Sequence, residues 1–219
     1  MKISLEGNNK MQDTAIEMAK RLLVDSIWKS ANLEGLGTTF PKTEAILANA
    51  PTTTKTEEVL FIINMKRAWQ FLLDNLNYGN SIMLLREYNK VVGELLFNYA
   101  GEIRTIPVQI GGTSWEPEMP HTGVIISIID ETEKINDVEL KALKYFCFIA
   151  RAQMFIDGNK RVAQLMANKI LVENNVGIFQ IPIEKLEEFK TLLIAFYESD
   201  NDTDIITFMK AFCIKRVRK

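Results

Sequence analysis

The chain has 219 residues, of which 47% are hydrophobic and 25% charged, and its formal net charge is −2. This composition suits a globular protein with a substantial core, and the near-neutral charge excludes strong electrostatic attraction to nucleic acid or to a membrane surface. No Pro-, Gly- and Ser-rich linker divides the sequence, which predicts a single domain over 1–219. No apolar run reaches membrane-spanning length, and the opening segment MKISLEGNNK lacks the apolar core of a signal peptide, so we expect no membrane partner and a cytoplasmic location.

The sulfur and histidine content narrows the chemistry further. Cys147 and Cys213 lie in apolar helical patterns, which indicates buried thiols rather than a disulfide or a metal site. His121 is the one histidine, so a metal site or a catalytic triad built on two histidines is excluded. The basic tail KRVRK at 215–219 follows a helical pattern, and we interpret it as favourable charge at a helix end.

Helical periodicity dominates the first half of the chain. Apolar residues at helical spacing predict helices over 13–33, 56–77 and 80–99. Between 104 and 120 the pattern breaks, because IPVQIGG alternates only weakly and SWEPEMP contains two prolines. We expect a short hairpin or an irregular loop there.

The second half continues in the same way. An amphipathic helix is predicted from 137 to about Phe155, and a second one follows a short loop. Further helices are predicted over 183–198 and 203–217. Six or more helices with one short hairpin indicate a mainly α fold around a single core.

The loop between the two central helices, QMFIDGNKR at 153–161, has the composition of an anion site. A helix start presents unpaired N–H groups, Gly158 allows close approach of the backbone, and Asn159 can cap the helix or donate a hydrogen bond. Lys160 and Arg161 add cationic donors, so the stretch is suited to binding phosphate.

An acidic residue inside such a loop requires an explanation. Asp157 would repel a phosphate unless a divalent cation lay between them, which indicates a Mg²⁺ ligand. The same letters also suit an ordinary turn in which Asp157 and Asn159 cap a helix and no ligand binds.

The segment FIDGNKR at 155–161 resembles the signature loop of the Fic/Doc (Fido) family, H-x-F-x-[D/E]-G-N-[G/K]-R, which joins two helices of a mostly α core. Six of the seven fixed positions match, and the resemblance extends over about 30–205. It implies a Fic/Fido helical fold in which most members transfer AMP from ATP to a hydroxyl of a target protein. The Doc branch, with lysine in the G/K position, transfers phosphate. ATP and Mg²⁺ are the implied cofactors, with Asp157 as metal ligand and a nucleotide held by Phe155, Asp157, Gly158, Asn159, Lys160, Arg161 and Gln164.

A second region supports the resemblance. Ser30, Glu34 and Gly35 in SANLEGLG match the family's inhibitory pattern [S/T]-x-x-x-E-[G/N]. Glu34 also continues the apolar stripe of the helix predicted over 13–33, so its carboxylate should point inward and requires a partner. Gly35 suits the position just after a helix end. The alternative is a plain helix end whose glutamate reaches solvent.

The irregular segment 104–120 resembles the family's flap, a short β-hairpin over the site whose free edge aligns a target peptide by strand addition. The alternative is an ordinary surface hairpin. The resemblance implies a target protein docking on this segment, and it leaves the target's identity and a homo-oligomer open.

The sequence departs from the family at the catalytic position. The family's catalytic histidine falls on Gln153, which cannot take a proton, and losing a positioned base typically costs about 10²–10⁴ in rate. Asn159 and Arg161 would keep the electrostatic part of catalysis. Gln164 stands where many members have a second arginine that pairs with the inhibitory glutamate, so Arg161 or Gln164 is the expected partner of Glu34.

Another base would have to replace the histidine. His121 at the exit of the flap is a weak candidate, because a lone loop histidine is usually solvated. Asp157 is another, but a bound metal would hold it ionised and occupied.

Three functions follow from these observations. The first is a nucleotide-binding protein in which AMP transfer is impaired or altered. The second is an active nucleotidyl- or phosphotransferase that uses different chemistry and is inhibited by Glu34. The third is a protein-interaction module without nucleotide affinity.

Overall fold

A computed structural model describes residues 6–51 and 53–217, with side chains from residue 14 onward. The first five residues of the segment MKISLEGNNK and the last two residues of the basic tail therefore lie outside the described residues. Within them the chain forms ten α-helices, a 3₁₀ turn and two strands: α1 (Glu6–Arg21), α2 (Leu23–Leu33), α3 (Phe40–Leu47), α4 (Thr56–Asp74), α5 (Ile82–Gly93), α6 (Thr122–Glu133), α7 (Val138–Ala152), α8 (Asn159–Glu173), β1 (Gly177–Phe179), the 3₁₀ turn (Ile183–Lys185), α9 (Leu186–Ser199), α10 (Thr203–Phe212) and β2 (Ile214–Arg216). The predicted mainly α fold is confirmed.

Helix α8 lies at the centre of the molecule. Every residue from 162 to 172 is buried, and α1, α4, α5, α7 and β1 pack around the helix. A helix buried on all sides must satisfy its polar side chains internally. Lys169 does so by donating to Asn80 Oδ1 and Glu173 Oε2, both at 2.8 Å. The start of α8 is therefore held in a fixed place by the core.

The helix predicted over 13–33 is two helices, α1 and α2, separated by a turn at Leu22. The helical path is kept across the turn, because the Leu22 N–H donates to Met18 O at 3.0 Å and the Ser26 N–H to Leu22 O at 2.8 Å. The apolar stripe that placed Glu34 on the inner face therefore survives the break.

Two other helices are shorter than predicted. The helix over 80–99 ends at Gly93, where Phe97 folds back so closely that a Cβ would lie 2.3 Å from its ring. The helix over 203–217 ends at Phe212, and residues 214–216 instead pair antiparallel with 177–179. Tertiary packing overrides the helical periodicity at both ends.

Helices α3 and α6 were not predicted. α6, TGVIISIIDETE, is rich in β-branched residues that favour strands locally. Its Ile125 and Ile129, four residues apart, are both buried, and they give it one apolar face toward the core.

The segment 104–120 was expected as a hairpin or an irregular loop, and the irregular loop is observed. It contains no β-strand, so the expected hairpin strands over the site are a wrong prediction. Pro107, Pro117 and Pro120 lack the N–H that a strand ladder needs. The two strands of the described residues, β1 and β2, are at 177–179 and 214–216 instead.

Candidate functional site

The loop between α7 and α8 is closed by one asparagine side chain. Asn159 Oδ1 accepts from the Phe155 N–H at 3.0 Å, and its Nδ2 donates to Phe155 O at 2.8 Å and to Gln153 Oε1 at 3.0 Å. Asn159 is 4% exposed, so these bonds form away from bulk water. The asparagine therefore shapes the loop, and its amide group is already occupied.

Gly158 begins α8 in the left-handed region, with φ of 82°. A Cβ there would lie 2.9 Å from Asn89 Nδ2 and 3.3 Å from Val92 Cγ2. The Asn89 amide in turn donates to Asp157 O at 2.8 Å. This position requires glycine because both the backbone conformation and the space exclude a side chain.

Asp157 and Arg161 pair with each other across one helical turn. Asp157 Oδ2 accepts from Arg161 Nη2 at 2.8 Å, and Oδ1 accepts from the Gly158 N–H at 2.5 Å. The Asp157 side chain remains 56% exposed, whereas that of Arg161 is 4% exposed. The carboxylate therefore caps the start of α8 and still presents an edge to solvent.

The Arg161 guanidinium is buried between two rings, 5.2 Å from the Phe61 centroid and 5.5 Å from the Phe97 centroid. Its Nη1 donates to Val92 O at 3.2 Å. Its Nε is buried without a hydrogen-bond acceptor among the described residues. A buried unpaired N–H on a cation is costly, so this group would gain from an anionic oxygen.

Glu34 faces the start of α8, as its place on the apolar stripe predicted. Its Oε2 lies 3.0 Å from Lys160 Nζ, and its Oε1 lies 3.9 Å from Arg161 Nε. Of the two partners predicted for Glu34, Arg161 is close but beyond hydrogen-bond distance. Gln164 is wrong as a partner, because its amide donates to Ser30 Oγ at 3.2 Å and to Lys160 O at 3.3 Å. Lys160 is the principal partner of Glu34.

The end of α2 holds Glu34 in place. Gly35 has φ of 79°, its N–H donates to Asn32 O at 3.0 Å, and the Leu36 N–H donates to Ala31 O at 3.1 Å. These two bonds are a Schellman motif, so the prediction of a glycine just after the helix end is confirmed. The motif fixes the direction in which Glu34 leaves the helix.

A cavity of about 360 Å³ lies where these elements meet. Its walls are formed by the end of α2, the loop before α8, residues 108–111 and α9. We call the segment 104–120, which contains residues 108–111, the flap. Glu34, Asp157, Lys160 and Lys190 supply charge, and Leu193, Ile194 and Tyr197 supply an apolar side. Burial and then the negative charge of Glu34 raise the pKa of Tyr197, so this phenol stays neutral at the cavity wall.

A larger cavity of about 620 Å³ lies beside α6 and α7. It is lined by Trp115, His121 and Phe148 among others, and by none of the residues predicted to bind a nucleotide. We place the candidate site in the smaller cavity, because of the two only that one is lined by Asn159 and Lys160 of the helix start. His121 lines the larger cavity and Gln153 the smaller one, which gives no support to this histidine as a base.

Gln153 occupies the predicted catalytic position in a left-handed conformation, with φ of 42° and ψ of 50°. Its Nε2 donates to Ala150 O at 2.6 Å and its Oε1 accepts from Asn159, so both ends of the amide are engaged. The side chain lines the cavity. It stabilises the loop through these two hydrogen bonds and carries no group that could remove a proton.

Some residues that were predicted to hold a nucleotide do not line the smaller cavity. Phe155 is fully buried in the core, and Gln164 is 7% exposed and bonded to Ser30. Neither lines the cavity, and Gly158 and Arg161 do not line it either. Arg161 lies next to the cavity through Glu34, whose Oε1 is 3.9 Å from Arg161 Nε.

Sequence reasoning missed the residues that attach the flap. Arg104 is 3% exposed and binds carbonyl groups of the flap and of Gln153. Trp115 stacks on Tyr197 with centroids 5.7 Å apart, and Arg151 lies 4.6 Å over the Trp115 ring. No local pattern reports such contacts, because the partners are far apart in the chain.

None of the helices in the described ranges is both long and apolar enough to cross a membrane. Within the same ranges no cluster of three or more His, Cys, Asp and Glu side chains could hold a metal ion. Asp157 is the one carboxylate in the loop itself.

Residues 80–171 match the model of the Fic/DOC family. None of the curated proteins is significantly similar to the chain in sequence. The matched region includes the loop and the start of α8, but not Ser30, Glu34 or Gly35. Proteins of this family generally bind a nucleotide and transfer AMP or a similar group.

Several solved structures share the fold. Fic-1 (residues 134–508) from C. elegans has a TM-score of 0.73 and 22% identity, over 94% of this chain and 66% of that one. A Fic family protein from Desulfovibrio desulfuricans G20 has a TM-score of 0.71 and 14% identity, over 96% and 72% of the two chains. A Fic domain containing signaling protein from Bacteroides thetaiotaomicron VPI-5482 has a TM-score of 0.69 and 20% identity, over 93% and 87%. The chain thus spans just under two thirds of the C. elegans chain, and these likenesses concern the fold.

Proposed function

We propose, because residues 80–171 match the Fic/DOC family model, that this chain binds ATP with Mg²⁺ at the start of α8. Transfer of AMP to protein hydroxyls is impaired, because Gln153 stands in the place of the family's catalytic base. The observation that carries this proposal is the buried Nε of Arg161, which has no acceptor among the described residues and lies 3.9 Å from the Glu34 carboxylate at the cavity.

The charges around the helix start favour an anion. The N–H groups of the first turn of a helix have no intrahelical acceptor and present a partial positive charge. Lys160 lies in that turn and borders the cavity, and its carboxylate partner Glu34 comes from another helix. A phosphate group could replace Glu34 as the partner of Lys160 without any change in the core.

The opposite wall of the cavity suits the organic part of a nucleotide. Leu193 and Ile194 give an apolar surface on α9, and the Tyr197 ring continues it. The volume of about 360 Å³ lies in the range of small-molecule sites. A polar end and an apolar wall in one cavity support a nucleotide over free phosphate.

Asp157 fits a Mg²⁺ ligand in part. Its two oxygens accept from Arg161 and Gly158, but more than half of the side chain is exposed. Mg²⁺ in nucleotide sites commonly uses one or two carboxylates together with phosphates and waters. Asp157 would contribute one ligand, and the cation would neutralise phosphate charge beside it.

The Gln153 side chain can orient groups but cannot move a proton. Its Oε1 keeps Asn159 in place, and its Nε2 closes the end of α7. The chain therefore retains the loop geometry and lacks the base that would activate a target hydroxyl. We infer that binding survives where transfer is lost or slow.

A transferase with altered chemistry is the second candidate. The Glu34–Lys160 pair at 3.0 Å favours it, because an inhibitory carboxylate has a use only where activity must be held back. On this view Glu34 blocks the phosphate position until it is displaced. A target protein docking on the flap at 104–120 is the proposed partner in either case.

Calorimetric titration of ATP with Mg²⁺ tests the proposal. The protein to use is the Glu34→Gln variant, in which Lys160 is released from its carboxylate. Adding Lys160→Met to that variant should weaken binding by about tenfold or more, because a hydrogen bond to a charged group is worth about 1.5–3 kcal/mol.

Lys144→Met is the matched control. Lys144 also pairs with a carboxylate, Asp202 at 2.7 Å, and its side chain is 39% exposed, but it lies at the other cavity. This change should leave ATP affinity unaltered. Absence of binding by both wild type and Glu34→Gln would overturn the proposal and favour a protein-interaction module.

A further inference from the structure

Arg104 is the first residue of the flap and one of the most buried arginines of the described chain, at 3% exposure. Its Nε donates to Gln153 O at 2.6 Å. Its Nη1 donates to Ile106 O at 2.8 Å, and its Nη2 to Glu118 O at 2.5 Å and Pro117 O at 3.4 Å. One guanidinium therefore joins both ends of the flap to the loop before α8.

The chemistry of this contact is unusual for a buried cation. Within the described residues Arg104 binds carbonyl oxygens and forms no ion pair with a carboxylate, and burial lowers the pKa of its guanidinium. A guanidinium nonetheless stays charged in proteins, and its planar fork can bind several carbonyl oxygens at fixed angles. The Arg104 N–H also donates to Met154 O at 3.0 Å, so backbone and side chain tie the flap to the same loop.

The middle of the flap is attached separately. Trp115 stacks on Tyr197, and Thr113 Oγ1 donates to Glu198 Oε1 at 2.8 Å. Between the two attachments, residues 108–111 line the candidate cavity. The flap thus forms one side of the cavity. Arg104 holds its two ends, and the stacking of Trp115 on Tyr197 holds its middle against α9.

The carbonyl that Arg104 binds belongs to Gln153, whose left-handed conformation is uncommon for a residue other than glycine. The side chain of the same residue holds Asn159, the first residue of α8. A continuous path of hydrogen bonds therefore runs from the flap through Arg104 and Gln153 to the helix start.

We propose that Arg104 is a positioning residue that couples the flap to the loop 153–158, so that displacement of the flap changes the anion site. The functional meaning rests on the proposed function, in which a nucleotide occupies the cavity and a partner protein docks on the flap. Coupling between two sites is reciprocal, so a partner on the flap changes nucleotide affinity by the same factor as nucleotide changes partner affinity.

Hydrogen exchange on the protein without nucleotide tests the coupling. Arg104→Lys keeps the charge but loses the fork, and Arg104→Gln removes the charge as well. In both variants amide exchange should become about tenfold faster or more in the flap and in 153–158 together, because each hydrogen bond lost from a charged donor contributes a factor of about ten or more. Exchange in the buried part of α8 should stay unchanged, which shows that the fold is intact.

Arg216→Lys is the matched control. Arg216 Nη2 also donates to a carbonyl, Lys210 O at 3.2 Å, and the residue lies on β2, outside the flap. The proposal is overturned if Arg104→Lys speeds exchange in the flap alone, or if Arg216→Lys has the same effect on 153–158.

Addition of ATP with Mg²⁺ to the same samples separates the two proposals. Protection of 153–158 by nucleotide in wild type, reduced in Arg104→Lys, is the expected result. No protection in wild type refutes the nucleotide site and leaves the coupling to be judged from the protein without nucleotide. If nucleotide protects 153–158 equally in wild type and in Arg104→Lys, Arg104 has no influence on the anion site, and the proposal is overturned.

Discussion

Replacing Gly158 by alanine should destabilise the protein both through the backbone conformation and through packing. The backbone there has φ of 82°, and a left-handed residue with a Cβ costs about 1–2 kcal/mol. The new Cβ would lie 2.9 Å from Asn89 Nδ2 and 3.3 Å from Val92 Cγ2.

The second part of the cost arises from Asn89, which is fully buried. Its Nδ2 donates to Asp157 O and its Oδ1 accepts from the Gly101 N–H, both at 2.8 Å. Moving this amide breaks or strains a buried hydrogen bond, at about 1–3 kcal/mol. The free energy of unfolding of Gly158→Ala should therefore fall by about 2–5 kcal/mol.

Two other glycines separate the contributions. Gly35 has φ of 79° with no atom within 4 Å of an added Cβ, so Gly35→Ala should cost only the conformational part, about 1–2 kcal/mol. Gly79 has open space and no left-handed conformation, so Gly79→Ala should change stability by less than about 0.5 kcal/mol.

Urea unfolding followed by far-ultraviolet circular dichroism measures all three variants under the same conditions. A cost for Gly158→Ala no larger than that for Gly35→Ala would refute the steric argument. Equal costs for Gly35→Ala and Gly79→Ala would refute the argument from conformation.

Three further predictions concern the site and the core. Glu34→Gln should raise ATP affinity about tenfold by calorimetry, because about 1.4 kcal/mol of competition for the helix start is removed; unchanged affinity contradicts an inhibitory role. Gln153→His on the Glu34→Gln background should raise the transfer of radiolabelled AMP to protein by about 10²–10⁴ relative to Glu34→Gln alone, because a base is restored. No gain would mean that more than the base is missing. Lys169→Met should lower the free energy of unfolding by about 2–3 kcal/mol in urea titrations, because it leaves Asn80 and Glu173 without their donor; a neutral effect means that water replaces the ammonium group.

Local chemistry predicted the parts of the site that depend on neighbouring residues. The Asp-Gly-Asn sequence indicated a loop that starts a helix, and the structure has Gly158 at the start of α8. The helical stripe placed Glu34 on the inner face, and Gly35 indicated where the helix ends. These inferences succeeded because helix periodicity and capping are local properties.

Contacts between distant segments could not be predicted in the same way. The partner of Glu34 is Lys160, and its choice depends on how α2 crosses the start of α8. Likewise, nothing near Arg104 in the sequence indicates that it will bind the carbonyl of Gln153. The end of the helix at Gly93 depends on Phe97 packing back over it, which overrides a favourable periodicity.

The presence of Gln153 at the position of the family's histidine separates two requirements of the loop, anion binding and proton removal. Binding an anion needs the helix start, the cations and the backbone conformation at Gly158, and each of these is fixed by packing that does not involve a titratable base. Proton removal needs one side chain with an accessible pKa, and an amide cannot supply it. Gln153 Oε1 nevertheless keeps the contact that orders Asn159. Selection for loop shape alone would keep such a residue, so we expect anion binding to survive where transfer is lost.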